Sequence, residues 1–95
     1  MSYTSAGKEV MVIKKFQVPI DIWNDKNIPM EAKYIYSYIY SKAYKKYLVD
    51  INIGEIQQVI KIKNKGLRNN LKLLNNLKYL VFQEYTIGNY SVTLN

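Results

Sequence analysis

The chain has 95 residues, a net charge of +7 and neither cysteine nor histidine, and this length is typical of one small domain. The absence of cysteine excludes disulfide scaffolds, thiolate metal sites and cysteine nucleophiles, and the absence of histidine removes Ser-His-Asp triads and the commonest metal ligand. A hydrophobic fraction of 48% is ordinary for a folded chain, and the basic excess points to an anionic partner, either nucleic acid or an acidic membrane surface.

The chain divides into an N-terminal extension, residues 1–15, which is a possible dimer contact, and a domain that is predicted to span residues 16–95. Residues 1–9 show no periodic pattern and are interpreted as a flexible terminus. Residues 10–13 are a short apolar run, which is either a strand or a dimer contact. No signal-peptide core and no membrane-length apolar run is present, so we expect a cytoplasmic protein.

The next segment, residues 16–23, is expected to be extended because Pro19 disfavours helix at Val18. It then passes into a helical turn that buries Ile22 or Trp23. Pro29 and Glu31 are typical of a helix start. Residues 34–41 alternate like a strand, but the helical reading is favoured because it also uses both flanking segments.

A helix, a turn and a second helix are predicted in the following part of the chain. After a short strand at residues 47–51, Asn52 is expected to cap a helix with Glu55 reaching back. The helix stops at a four-residue turn, 61–64, which is filled by the single apolar side chain of Ile62. A second helix runs from about residue 64 to 79, and its inward side chains are expected to form the core. They are Leu67, Leu71, Leu74 and Leu77.

The chain ends in two strand-like runs, residues 80–86 and 90–94, which are predicted to form a hairpin. Gly88 and Asn89 both tolerate positive φ and are therefore expected to form its two-residue turn.

The positive charge is concentrated on the second helix and the turn before it. Residues 1–55 have a balance of +2 and residues 84–95 one of −1, whereas residues 61–78 hold six basic and no acidic residues. Such clustering is typical of a phosphate-binding surface. The alternative is a solvated helix face in a chain that is rich in lysine and asparagine.

Two helices joined by a short turn and followed by a hairpin match the order of a helix-turn-helix with a wing. Residues 16–94 resemble the winged helix-turn-helix domains of bacterial and archaeal DNA-binding regulators. The segments 16–19 and 28–33 resemble more narrowly the N-terminal domains of plasmid and phage replication initiators. The size and the Tyr/Ile/Lys/Asn richness are also similar to small DNA-binding proteins of archaeal plasmids and viruses, including segregation adaptors.

The sequence also departs from that family's pattern. The pattern often has Ala, Gly and Ser or Thr where this chain has Gln57, Lys61 and Lys63, so a less sharp turn is expected. The resemblance implies an α+β fold, a mainly helical winged helix-turn-helix with a C-terminal β-hairpin wing.

The resemblance also implies a recognition helix that enters the major groove of DNA with its first two turns. The implied base contacts are Lys65, Arg68, Asn69 and Lys72. The implied phosphate contacts are Lys61, Lys63, Asn64 and Lys78. The wing residues are Gly88 and Asn89, and the wing carries no cation of its own. Because one recognition helix reads few base pairs, a homodimer is expected, with candidate contacts Val10, Val12, Phe16, Tyr34 and Tyr38.

The leading interpretation is a site-specific binder of double-stranded DNA, associated with a plasmid or the nucleoid, that acts in segregation, replication or transcription regulation. It is expected to need no cofactor or metal, to have no catalytic residues, and to meet other segregation or replication proteins. One alternative is a winged helix that docks an acidic protein partner. A weaker one is a membrane-surface contact around residues 42–47. The leading interpretation assumes no membrane contact.

Overall fold

Four helices and two three-stranded antiparallel sheets are present in the part of the chain that the structure describes. The structure is a computed structural model, which describes the backbone of residues 3–5, 8–13, 16–43 and 48–95 and the side chains of residues 19–43 and 48–95. Helices and strands share one chain with antiparallel sheets only, so the fold class is α+β, as predicted.

The first sheet is formed near the N-terminus by β1 (Tyr3–Ser5), β2 (Lys8–Ile13) and β3 (Phe16–Pro19). Its strand order is β1-β2-β3, and Val10 pairs with Pro19 while Ile13 pairs with Phe16. The prediction of a flexible terminus over residues 1–9 is therefore wrong for the strand residues among them. With six strands beside four helices, the described part of the chain is less helical than the expected mainly helical fold. The strands near the N-terminus were not foreseen because they are short and carry weak sequence patterns.

The first two helices follow as the sequence predicts. The short helix α1 (Ile20–Asn24) buries Ile22 and leaves Trp23 half-buried. The long helix α2 (Met30–Lys42) begins directly after Pro29, with Glu31 in its first turn, and ends at the C-cap Ala43. Most of the second flanking segment, residues 44–47, lies outside the described residues. The alternation of residues 34–41 is therefore helical, because the 3.6-residue period places apolar side chains along one buried stripe.

The next helix begins at a reciprocal cap. Strand β4 (Leu48–Asn52) leads into α3 (Ile53–Gln57), where the Asn52 side chain accepts a hydrogen bond from the Gly54 N–H (2.7 Å) and Glu55 accepts one from the Asn52 N–H (2.8 Å). This confirms the predicted capping box. The helix ends earlier than predicted, because Val59 and Ile60 both donate to the Ile56 carbonyl in a tightened turn.

Helix α4 (Asn64–Asn76) packs through Leu67, Leu71 and Leu74, which are fully buried. Its first turn approaches the preceding connection so closely that a Cβ on Gly66 would lie 3.0 Å from Ile62 Cγ1. Glycine at this position therefore lets Ile62 fill the turn, as predicted. The helix ends three residues before the predicted end at residue 79.

The C-terminal end of α4 is closed by a Schellman arrangement. The Tyr79 N–H donates to the Leu74 carbonyl (3.0 Å) and the Lys78 N–H donates to that of Asn75 (2.9 Å). Lys78 occupies the left-handed position, with φ 68°, where glycine is the usual residue. The reversal stops α4 and directs the chain into the last hairpin.

The second sheet has the order β4-β6-β5, with β5 (Leu80–Thr86) and β6 (Asn89–Leu94) as the predicted hairpin. The turn residues are Ile87 and Gly88, not the predicted Gly88 and Asn89. The shift arises from an irregularity between Glu84 and Thr86, which pairs Thr86 with Asn89 and so places Asn89 in the strand.

The core lies between α2, α4 and the inner face of the second sheet. Its largest fully buried members come from all three of these elements and from α3. They are Tyr90, Ile35, Ile39, Ile51, Ile56, Leu67, Leu71, Leu74, Leu80 and Val92. One side of α4 is thereby fixed inside the domain, and the opposite side faces outward.

Candidate functional site

The outward side of α4 carries only basic and amide side chains. Lys65, Asn69, Lys72 and Asn76 are all exposed, and their spacing of four, three and four residues places them within about 60° of one another on the helix. They lie opposite the buried Leu67. We call these four residues the outer face of α4. The structure therefore brings together three of the four predicted base contacts.

The lysines of this region have no acidic partner among the described residues. The two ion pairs that the described side chains form are Lys42–Glu55 and Arg68–Glu84. The exposed lysines of residues 61–78 take part in neither pair. They are Lys61, Lys63, Lys65, Lys72 and Lys78. The positive charge that the sequence concentrates here therefore remains available to an external anion.

The N-terminus of α4 adds to this positive surface. Lys63 is the N-cap, makes no side-chain capping bond, and is followed by a first turn without an acidic residue. Leu67 donates to the Lys63 carbonyl (3.0 Å), so the amide groups of residues 64–66 precede the intrahelical ladder. Lysines at the positive end of a helix dipole repel it, which is unfavourable while no ligand is bound. A bound anion would remove this repulsion.

Lys78 lies at the other end of this helix. A helix of 13 residues is about 20 Å long, and Lys78 follows its last turn. The predicted phosphate contacts thus divide into a group at the N-terminus, Lys61 and Lys63, and a single lysine at the far end.

Arg68 is held by an acidic side chain of the hairpin. Its Nε donates to Glu84 Oε1 at 2.7 Å and its Nη2 donates to Glu84 Oε2 at 3.2 Å. In this conformation the guanidinium points to β5 and away from the outer face of α4. The structure therefore does not group Arg68 with the other predicted base contacts.

Glu84 is the centre of a wider cluster, the Glu84 cluster, which joins α4 to the hairpin. Glu84 Oε2 also accepts hydrogen bonds from Asn64 Nδ2 (3.1 Å) and from the Gly88 N–H (2.9 Å). The Tyr90 hydroxyl donates to Asn64 Oδ1, which completes the cluster. Asn64, predicted to contact phosphate, therefore has both ends of its amide engaged within the protein.

The cluster holds Glu84 strongly in its charged form. The hydrogen bond from Arg68, followed by those from Gly88 and Asn64, lowers the pKa of Glu84 to about 2. The same pair raises the pKa of Arg68. The ion pair is thus present over the whole physiological pH range.

A second carboxylate holds the opposite flank of α4. Asn70 Nδ2 donates to Glu31 Oε1 on α2 (2.8 Å) and to the Gly66 carbonyl (2.9 Å). With Arg68 held by Glu84, both flanks of the helix are tied to neighbouring elements.

The turn of the hairpin is attached to the start of α3. The Ile53 N–H donates to the Gly88 carbonyl at 2.8 Å, and Asn52 Nδ2 donates to Asn89 Oδ1 at 2.6 Å. Both predicted wing residues are thus used in contacts within the domain. Ile87, at the tip, is 89% exposed.

The predicted dimer contacts fall into two groups. The Tyr38 hydroxyl donates to Glu55 Oε2 (2.9 Å). Burial, together with this hydrogen bond, raises the pKa of Tyr38 to about 12. Tyr34 on the same helix is half-buried, and Lys42 binds Glu55 as well. The side chains of Val10, Val12 and Phe16 lie outside the described residues, although their backbones belong to β2 and β3 within one chain.

Sequence reasoning missed the two acidic residues that hold the flanks of α4. Glu84 is 16 residues from Arg68, and Glu31 is 39 residues from Asn70, so no local spacing connects them. One available signal was that Glu84 is the single acidic residue after residue 55, in a part of the chain that is otherwise rich in cations.

Comparisons of this chain with protein-family models, with curated proteins and with solved structures gave no match. Within residues 3–5, 8–13, 16–43 and 48–95, no helix has the length and apolarity needed to span a bilayer. Nor do three or more acidic side chains of the described part gather into a group that could hold a metal ion.

Proposed function

We propose that residues 16–94 are a winged helix-turn-helix domain that binds double-stranded DNA at specific sites through α4. The observation that carries this proposal is the outer face of α4, where two lysines and two asparagines share one exposed stripe next to further lysines without acidic partners. Lysine and asparagine are side chains that contact phosphates and base edges.

The order of the elements supports the proposal. Helix α2, strand β4, helices α3 and α4, and the hairpin β5–β6 follow one another as in a winged helix-turn-helix, with β4 completing the sheet of the hairpin. In that arrangement α4 is the recognition helix. A helix with side chains is about 10–12 Å across, which fits the B-DNA major groove of about 12 Å.

Phosphate contacts are assigned to the N-terminus of α4 and the connection before it. Lys61, Lys63 and Lys65 are exposed there, and the free amide groups of the first helical turn supply further donors. The hairpin contributes less, because residues 79–95 hold no Lys or Arg and its turn is tied to α3.

The proposed protein binds its site as a homodimer, because two recognition helices read a longer site than one. It acts on plasmid or viral DNA in the cytoplasm, in segregation, replication or transcription regulation, alongside other proteins of those processes. It is a binding protein without catalytic activity.

The test is binding of the full chain to a labelled duplex of mixed sequence, measured by fluorescence anisotropy at several salt concentrations. We expect the affinity to fall steeply with salt, and Lys63→Ala or Lys65→Ala to reduce the slope of log K against log salt by about 0.9 each. Lys26→Ala, an exposed lysine in the α1–α2 loop, is the matched control and should leave the slope nearly unchanged. Absence of duplex binding at low salt would contradict the proposal and favour an acidic protein partner.

A further inference from the structure

Arg68 is the residue of α4 whose chemistry best suits a contact with a base, but its guanidinium is already bound to Glu84 within the domain. An arginine pairs with guanine through two nitrogens of its guanidinium, but Nε and Nη2 of Arg68 both bind Glu84, at 2.7 and 3.2 Å. The Arg68 side chain is 36% exposed and that of Glu84 18%. Extending Arg68 into a groove would leave this carboxylate without its strongest partner.

Unlike Arg68, Asn69 has no partner for its side chain within the described part of the domain. It is exposed on the outer face of α4 and makes no side-chain hydrogen bond among the described residues, whereas its neighbours Asn64 and Asn70 both use their amides within the domain. Lys65 lies four residues before it and Lys72 three residues after it. Asn69 is therefore an unengaged amide between two cations on the same stripe.

We propose that Asn69 is the specificity-determining residue of α4 and that it reads adenine in the major groove, while Arg68 acts as a positioning residue held by Glu84. This inference rests on the proposed function. An asparagine amide offers one donor and one acceptor in the geometry of adenine N7 and N6, and it makes a two-bond contact with that base. The flanking Lys65 and Lys72 can contact the phosphates on either side of the base that Asn69 meets.

The positioning role of Arg68 follows from the direction of its contacts. Adjacent residues on a helix are about 100° apart, so holding Arg68 against β5 fixes the roll of α4 and turns Asn69 outward. The base contact and the ion pair are thus two consequences of the same helix orientation.

The first experiment is selection of bound sequences from a randomised duplex by the full-length wild type and by three variants. Asn69→Ala should remove a preference for adenine at one position of each half-site and weaken binding to the selected site about 5- to 100-fold. Asn75→Ala, the same substitution at an exposed position off the outer face, should retain that preference. Arg68→Ala should keep a preference for adenine at that position but a weaker one than the wild type has, because α4 loses the contact with Glu84 that fixes its roll.

A second experiment changes the DNA instead of the protein, so that it does not depend on how the variants fold. Replacing the preferred adenine by 7-deazaadenine removes the N7 acceptor from the major groove. We expect this replacement to weaken wild-type binding and to have no effect on Asn69→Ala. Equal weakening of both proteins, or loss of the base preference in Arg68→Ala with retention in Asn69→Ala, would overturn the proposal. Neither result would affect the proposed function, which fails if the wild type does not bind duplex DNA or selects no sequence from the randomised duplex.

Discussion

Gly88 at the hairpin turn lies directly against Ile53 at the start of α3. The Gly88 carbonyl accepts the Ile53 N–H at 2.8 Å, and a Cβ on Gly88 would come within 2.8 Å of Ile53 Cγ2. Gly88 also has φ +81°, in the left-handed region that residues with a side chain rarely adopt. Contact and conformation therefore both require glycine here.

Gly88→Ala is accordingly expected to destabilise the protein by about 1–3 kcal/mol, because it combines an unfavourable φ with a clash against Ile53. The measurement is the free energy of unfolding from urea denaturation. Ile87→Ala is the matched control in the same turn, since the Ile87 side chain is 89% exposed, and it should change the free energy by less than about 0.5 kcal/mol. Equal effects of the two substitutions would contradict the role assigned to Gly88.

A second prediction concerns Lys78, which takes the left-handed position of the Schellman arrangement with φ 68°. Lys78→Gly is expected to stabilise the protein by about 1 kcal/mol, because glycine adopts this conformation without steric cost. The corresponding rise in Tm is about 4–8 °C for a domain of this size, measured by circular dichroism. Lys78→Ala removes the same charge and keeps a Cβ, so it should not raise the Tm. A rise in both variants would show that charge, and not φ, is responsible.

A third prediction concerns the cap of α3. Asn52→Ala removes the acceptor of the Gly54 N–H (2.7 Å) and the donor to Asn89 (2.6 Å), and it should cost about 0.5–2 kcal/mol of unfolding free energy. Asn52→Ser keeps a capping oxygen, but its side chain is too short to reach Asn89. We expect it to retain most of the stability, and urea denaturation of the two variants would separate the cap from the contact with the hairpin.

A fourth prediction concerns acid unfolding. The pKa of Glu84 is lowered from the usual value of 4.5 to about 2 by Arg68 and the amide donors around it. Since the folded-state pKa is the lower one, the stabilisation by Glu84 is complete above pH 4.5 and is lost as the pH falls towards 2. Wild type should thus exceed Glu84→Gln in Tm at neutral pH, and this difference should shrink between pH 4.5 and 2. A difference that does not change with pH would show that the carboxylate charge is not involved.

The elements that the sequence predicts well are those whose determinants are close together along the chain. The capping box joins Asn52 to Glu55, three residues on, and the buried stripes of α2 and α4 repeat every three or four residues. Both depend on local spacing, which is visible without knowledge of the fold.

The features that the sequence did not predict depend on contacts between distant segments or on small backbone irregularities. Nothing local indicates the irregularity after Glu84 that moves the hairpin turn to Ile87 and Gly88. For the same reason Arg68 was predicted to contact a base: its exposure on a helical wheel is apparent from the sequence, whereas its partner on β5 is not.

The two carboxylates on either side of α4 have a consequence for how the helix can meet any ligand. Glu84 holds Arg68 on one flank and Glu31 holds Asn70 on the other, while Leu71 anchors the inner side. A rotation of the helix about its axis would break both flanking contacts at once. The orientation of the helix backbone is therefore set before a ligand arrives, and binding would cost little backbone entropy. The entropy that remains to be lost on the protein side is that of the exposed side chains, above all Lys65 and Lys72.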